Sequence, residues 1–407
     1  MTGTTADRRA GAGLGAAVAG MLLIAATYGM ARFGVGLFAP VLSAQRPDLT
    51  GVLGWAGAAQ FTSYSLAAVV AARWVDRRPR AGLLFAGATA VLGCLGVAVA
   101  STPLLFVVAV FVGGMGGGFA SPALVPVIDA VVAPHTTATA QSVVNSGTAV
   151  GVIGAGVVAS TAAAVGPAWV FMALVCAAAT AAAWCSARAR TGPASAPRPA
   201  AEPPSVPAGG PSAVLVRGPS APPTRGPWRL LVRPGAAAVV AGAGSSLIWT
   251  FGPLLLTGSG AVSPARVGGL WIALGLGGVL GALTGTLVRR AGIRGAWCWC
   301  ASALAVAAAG VAVSVVAGSA WVAHGSMALF GAGYMGLSGV LILWARRLWP
   351  GSAGAGTSVL FIALATGQAL GSAGFGLARE VAGPAVLAVP AAGLCVLAGV
   401  TAVVRKR

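Results

Sequence analysis

Residues 81–128 read "AGLLFAGATAVLGCLGVAVASTPLLFVVAVFVGGMGGGFASPALVPVI" and carry no charged side chain. A helix needs about 20 residues to cross the ~30 Å hydrocarbon core of a bilayer. This run holds two such lengths, separated only by Ser101-Thr102-Pro103. Most of the chain repeats the pattern. It is 57% hydrophobic and 8% charged, where a soluble domain carries about 25% charged residues. The acids number six: Asp7, Asp48, Asp76, Asp129, Glu202 and Glu380. The fold class is an all-α polytopic membrane protein.

Twelve transmembrane helices are predicted, at about 11–38, 51–75, 81–100, 103–128, 141–165, 167–187, 229–257, 266–288, 295–317, 319–345, 353–378 and 381–404. With the N-terminus in the cytoplasm and the sides alternating, cytoplasmic segments hold 21 Lys and Arg residues and outer loops hold three, Arg46, Arg266 and Arg379. That asymmetry is what the positive-inside rule expects. The net charge of +19 therefore encodes orientation, with both termini cytoplasmic, and no nucleic-acid partner is needed. The first apolar stretch is too long for a typical signal-peptide h-region. The six cysteines lie in or beside apolar spans without the paired spacings of a metal site, so they read as small buried hydrophobes. Arginine outnumbers lysine 24 to one, which points to a GC-rich bacterial genome and hence to the inner membrane.

Residues 188–228 hold 11 of the 25 prolines and no apolar periodicity, which marks a linker. The chain divides into an N-terminal half (1–187), this Pro/Ala/Gly-rich cytoplasmic linker (188–228) and a C-terminal half (229–407). The halves look like copies. Gly147, Gly151, Gly154 and Gly156 in the fifth span recur at the same spacing as Gly367, Gly371, Gly374 and Gly376 in the eleventh, 220 residues later. "GGMGGG" (113–118) answers "GAGYMG" (331–336), "ARWVDRRPR" (72–80) answers "GTLVRRAGIR" (285–294), and Phe33-Gly34 answers Phe251-Gly252. Two pseudo-symmetric six-helix halves are the organisation of a rocking transporter with its site near the midplane.

These features resemble the major facilitator superfamily of secondary transporters over the whole chain. The superfamily's motif after the second helix runs approximately G-x-x-x-D-R-x-G-R. Asp76, Arg77 and Arg80 match it, while Ala72 and Pro79 replace its glycines; the second copy keeps Gly285, Arg290 and Gly292. Gly29, Arg32, Phe33 and Pro40 are similar to the first-span pattern of the YbfB/YjiJ-type branch. The resemblance implies a gate at Asp76, Arg77, Arg80 and Arg290, where charges pair in one state and part in the other. The fifth-span ladder supports close packing, but the Gly-Pro pair of the superfamily's antiporter motif is absent, since Val152 follows Gly151.

Arg32 is the one basic residue deep inside a span, since Arg73, Arg229, Arg233 and Arg266 all fall at span ends. At the bilayer centre it costs roughly 2.5–3.5 kcal/mol on insertion scales, so something must compensate it. Either an anionic or acceptor-rich substrate does so, or helix carbonyls and buried amides do; the first is favoured because first helices line the cavity in this superfamily. Tyr28, Gln60, Tyr64, Asn145, Trp249 and Gln368 are the other substrate-binding candidates, since polar groups facing lipid would stay unpaired. Gln60 and Tyr64 share a helix face, as do Gln141 and Asn145. Asp129 is the one candidate for proton coupling, as the acid best placed to reach membrane depth. His324 reads as interfacial, and Glu380 as the loop partner of Arg379.

The function expected is a secondary active transporter of a small, anionic or acceptor-rich organic molecule, working by alternating access in the export direction. It is expected to be a monomer with no cofactor, coupled to protons or another ion or running as a uniporter. No catalytic constellation and no nucleotide-binding signature appears. Two rival readings are a proton-coupled pump for lipophilic cations, which needs an embedded acid, and a non-transporting receptor or scaffold, which needs folded extramembrane parts.

Overall fold

The computed structural model describes residues 3–75, 77–132, 136–161, 164–188, 229–350 and 353–403. Asp76, His135 and nearly all of the proline-rich linker lie outside them. The described residues are almost wholly helical, as the uncharged sequence dictates, because every backbone N–H and C=O in lipid must be satisfied within its own segment.

The first span is built from three pieces: α1 (Gly3–Ile24), a π-helical turn (Ala25–Arg32) and α2 (Gly34–Gln45). It continues through Pro40 to Gln45, beyond the end predicted at residue 38. Then come α3 (Leu53–Ala71), α4 (Pro79–Val99), α5 (Pro103–Val131), α6 (Thr137–Thr161) and α7 (Val165–Arg188). After the linker stand α8 (Arg229–Gly258), α9 (Val267–Val279), α10 (Thr284–Ala317), α11 (Ala320–Leu348), α12 (Ala353–Ala378) and α13 (Pro384–Val403).

Ten stretches among the described residues are long and apolar enough to cross a membrane. One of them, Pro264–Ala317, is 54 residues long. It breaks at Gly292, whose φ of 70° and ψ of 170° no helix contains; a residue with a Cβ would resist that conformation. The break separates the predicted eighth and ninth spans. The 19-residue α3 is not among the ten, yet it packs between α5 and α12. Counting α3 and both limbs of the broken stretch is in keeping with the twelve crossings expected.

The internal repeat is visible in how the two glycine ladders are used. A Cβ on Gly147 or Gly151 would strike the backbone of Met21 or Ala25 in the first span. A Cβ on Gly367 or Gly371 would strike Val239 or Ala243 in α8, the equivalent helix of the second half. The last rungs do something different. On Gly156 a Cβ would lie 2.7 Å from the Gly268 carbonyl oxygen, and on Gly376 it would lie 2.8 Å from the Gly54 Cα. Both are contacts between halves, related by the same pseudo-symmetry. Small residues thus allow close backbone approach within each half and again across the seam.

The cross-seam contacts gather at one end of the bundle, called here the first-loop end because the 46–52 loop lies there. Arg379, just past α12, donates from Nη2 to the Thr50 carbonyl at 2.5 Å. Gly57 sits against Thr250 and Ser372, which share a 2.8 Å hydroxyl hydrogen bond. Within the N-terminal half, Arg46 pairs with Asp48 at 2.7 Å and caps the Ala100 carbonyl at 2.6 Å. At the opposite end, α6 exposes Ser142, Asn145 and Ser146, and residues 279, 280, 282 and 283 are exposed between α9 and α10.

Candidate functional site

The π-helical turn decides where Arg32 goes. Its wider ring rotates Tyr28 and Arg32 to the interior, and all eight of its residues are buried. Single π turns inside helices frequently mark functional sites. Its seat is sterically defined, since a Cβ on Gly29 would lie 2.6 Å from the Gly151 Cα. Gly36, about two turns further on, meets the Trp249 carbonyl of α8. Glycine at both points brings the first span close enough to touch α6 and α8.

Arg32 is 1% exposed. Its guanidinium carbon lies 4.2 Å from the Tyr64 ring centre, 4.4 Å from Tyr28, 4.9 Å from Phe61 and 5.1 Å from Phe33. Desolvated cation–π contacts contribute about 2 kcal/mol or more. The effective penalty for burying an ion is several kcal/mol, so the rings offset only part of it. No acid is paired with Arg32 among the described residues. Its Nε and Nη1 find no hydrogen-bond acceptor among the described residues.

The second half meets this cage face to face. Phe33 stacks on Trp249 with ring centres 3.8 Å apart and planes 16° apart. Trp249 in turn makes edge contacts with Trp271, Phe330 and Tyr334. Gln368 donates from Nε2 to the Tyr334 hydroxyl at 3.0 Å. Among the described residues its Oε1 has no donor, nor has Oε1 of the buried Gln60, and the indole N–H groups of Trp249 and Trp271 have no acceptor. Buried polar groups are normally satisfied, so five residues with unmet groups in one aromatic layer between the halves form a candidate binding site.

Six of the seven residues expected to bind substrate sit in or beside this layer: Tyr28, Arg32, Gln60, Tyr64, Trp249 and Gln368. Asn145 is exposed on α6, four residues from the half-buried Gln141, and is not among the cage contacts. Phe61, Trp271 and Phe330 were not foreseen. Their signal was weak, because each is an ordinary apolar residue whose only hint is a neighbour: Phe61 adjoins Gln60, and Phe330 lies four residues before Tyr334.

The other candidates lie apart from the layer. Arg80 donates to the Ala187 carbonyl at 2.7 Å, bracing the last turn of α7 within its own half. Arg77 and Arg290 are exposed, and Asp76 lies outside the described residues. Asp129 is exposed near the end of α5. His324 is half-buried, with Nδ1 2.8 Å from the Ala320 carbonyl oxygen. Glu380 is exposed and makes no salt bridge to Arg379 among the described residues. Arg379 turns instead to Thr50 and lies 5.4 Å from the Phe251 ring centre. Burial pulls the Arg379 guanidinium down from its ordinary pKa, and the charge of nearby Glu380 acts against that pull.

Two quasi-equivalent helical halves with a polar and aromatic layer at their seam define the architecture of a secondary membrane carrier. The chain belongs to the major facilitator superfamily, whose sequence model matches residues 10–372. No curated protein matches it. Solved structures do, at low identity and over nearly the full length of both chains. The nucleoside transporter NupG is 11% identical with a TM-score of 0.68, covering 96% of this chain and 98% of its own. The inward-open xylose transporter XylE from E. coli is 13% identical with a TM-score of 0.68, covering 95% and 94%. A POT family transporter in complex with 5-aminolevulinic acid is 9% identical with a TM-score of 0.70, covering 95% and 94%. At these identities the likeness carries the fold.

Proposed function

We propose that the protein is a secondary active transporter that carries a small organic anion across the bacterial inner membrane by alternating access. The observation that carries this reading is Arg32, a fully buried guanidinium between the halves whose Nε and Nη1 lack any acceptor among the described residues. A carboxylate or other oxyanion would supply the missing partner by a charge-assisted hydrogen bond. A lipophilic cation would be repelled there, and Asp129 is placed too peripherally to offset Arg32.

With both termini cytoplasmic, the first-loop end is periplasmic. Its cross-seam contacts close that side, and the exposed polar stretch of α6 lines the entry from the cytoplasm. That geometry is in keeping with loading from inside and with export. Asp76, Arg77, Arg80 and Arg290 would then form the cytoplasmic gate, and Asp129 at that entry is the group to test for proton coupling. The protein works as a monomer in this reading, because the site is complete within one chain.

The test is a thermal-shift screen of purified protein against organic anions, neutral solutes and lipophilic cations, with Arg32→Met run beside it. A ligand at about 100 times its Kd stabilises the folded state by ~2.7 kcal/mol. Anion-dependent stabilisation that disappears in the variant is the expected result. Stabilisation by cations that survives the substitution would overturn the reading.

A further inference from the structure

The anion reading fixes one group of the substrate and leaves its body open. The walls of the site constrain that body. The rings of Tyr28, Phe33, Phe61 and Tyr64 crowd the Arg32 guanidinium, while its Nε and Nη1 hydrogens point along directions that find no acceptor. An incoming oxyanion therefore meets the guanidinium in its own plane. The Phe33–Trp249 pair crosses the seam as a parallel stack, and the halves cannot part without losing it. A ligand that enters between them keeps that contact only if it presents a flat π face of its own, since parallel stacking needs a ring on each side.

The hydrogen-bonding inventory narrows the class further. Besides Arg32, the indole N–H groups of Trp249 and Trp271 need acceptors, and Oε1 of Gln60 and of Gln368 need donors. A bare aliphatic acid satisfies the guanidinium but neither amide oxygen. Resting on the anion reading, we propose that the transported molecule is a flat aromatic acid bearing at least one ring hydroxyl or amino group. Its acid group meets Arg32, its ring takes the place of one partner in the Phe33–Trp249 stack, and its hydroxyl or amino hydrogen is received by Gln60 or Gln368.

Two probes of equal charge and similar size separate the body from the charge. The planar 4-hydroxybenzoate and the non-planar cyclohexanecarboxylate are titrated calorimetrically into the full-length protein, with tetraphenylphosphonium as the cationic control. The expected result is 4-hydroxybenzoate binding about tenfold tighter or more, as a stack of about 0.5–1.5 kcal/mol and a newly met amide of about 1 kcal/mol together imply. Trp249→Leu should cut the ratio of the two affinities, both measured in that variant, by about three- to tenfold. Trp249→Phe keeps a ring in the seam and should retain the stacking part of the preference, which guards against misreading a folding defect. Equal affinity for the two acids overturns the flat-ring proposal while the anion reading stands. Binding of neither acid overturns the proposal, and tetraphenylphosphonium binding in that case overturns the anion reading as well.

Discussion

Replacing Arg32 by methionine should raise thermal stability and abolish anion binding. The magnitude follows from the surroundings of the side chain. Burying the charge costs several kcal/mol, and the two unmet donors each add about 1–3 kcal/mol of desolvation penalty. Against this stand the four ring contacts at 4.2–5.1 Å, which contribute about 2 kcal/mol or more. Methionine removes both sides of that account and refills the space with a flexible thioether that itself favours ring contacts by about 0.3–1.5 kcal/mol. Replacing buried charge by well-packed apolar groups is often neutral or stabilising by about 1–4 kcal/mol. A rise of a few degrees in Tm is expected. Methionine is a cleaner choice than alanine here, because alanine would leave a cavity lined by four rings and confound the reading. The assay is differential scanning fluorimetry of wild type and variant without ligand, then with the anion panel. A large fall in Tm would refute the reasoning, since it would mean that Arg32 is held by partners inside the protein and serves the fold.

Three further outcomes follow from individual contacts. Arg379→Gln loses the bond to the Thr50 carbonyl and the approach to Phe251, so a cysteine placed at Gly51 should be alkylated faster; an unchanged rate would mean that Arg379 does not hold that end shut. Arg80→Met should lower Tm by an amount matching about 1 kcal/mol, the usual net worth of one hydrogen bond, because the Ala187 carbonyl loses the guanidinium that donates to it; an unchanged Tm contradicts the bracing role. Arg46, chiefly through its hydrogen bond, holds the Asp48 carboxyl below its ordinary pKa. The pair's contribution is therefore complete above that ordinary value and is lost as pH falls through the depressed one. It is a small contribution, since the pair is exposed. Asp48→Asn should flatten the acid limb of a Tm-against-pH curve, and identical acid limbs in the two proteins would contradict the assignment.

The helical class, the repeat and most of the central layer were legible in the sequence because each leaves a one-dimensional signal. Uncharged runs give spans, equal glycine spacings give the repeat, and a lone arginine in an apolar run stands out by its cost. What the sequence hid is what depends on three-dimensional register. The π turn at 25–32 has no composition of its own, and it arises where Gly29 meets Gly151 across two helices. Phe61, Trp271 and Phe330 look like any membrane-embedded aromatic until the fold brings them together. Arg379 adjoins Glu380 in sequence, yet it reaches Thr50, 329 positions away, because the pseudo-symmetric packing of α12 on α3 places the two loops side by side. Gly156 and Gly376 were read correctly as close-packing residues, but only the structure distinguishes their cross-seam role from the within-half role of the other rungs.

The central claim, that the halves part and close at alternate ends, is tested most directly by two distances, each measured in its own doubly labelled variant. In a Cys185→Ser and Cys298→Ser background, which removes the two cysteines that are not buried, spin labels at Gly51→Cys and Gly383→Cys report the first-loop end, where both glycines face open space. Labels at Ala130→Cys and Gly354→Cys, both exposed, report the opposite end. The bias is supplied by Gly54→Ala, whose new Cβ would lie 2.7 Å from the Gly376 Cα and 2.8 Å from the Ser372 carbonyl oxygen. Relieving that overlap needs a movement of about 0.7 Å, and overpacking of this kind costs about 1–3 kcal/mol. Borne by the first-loop-closed state alone, that cost shifts the populations of the two states by about 5- to 150-fold. Double electron–electron resonance should then show the 51–383 distance lengthening while the 130–354 distance shortens. Two distances that stay fixed, or that lengthen together, would contradict the account.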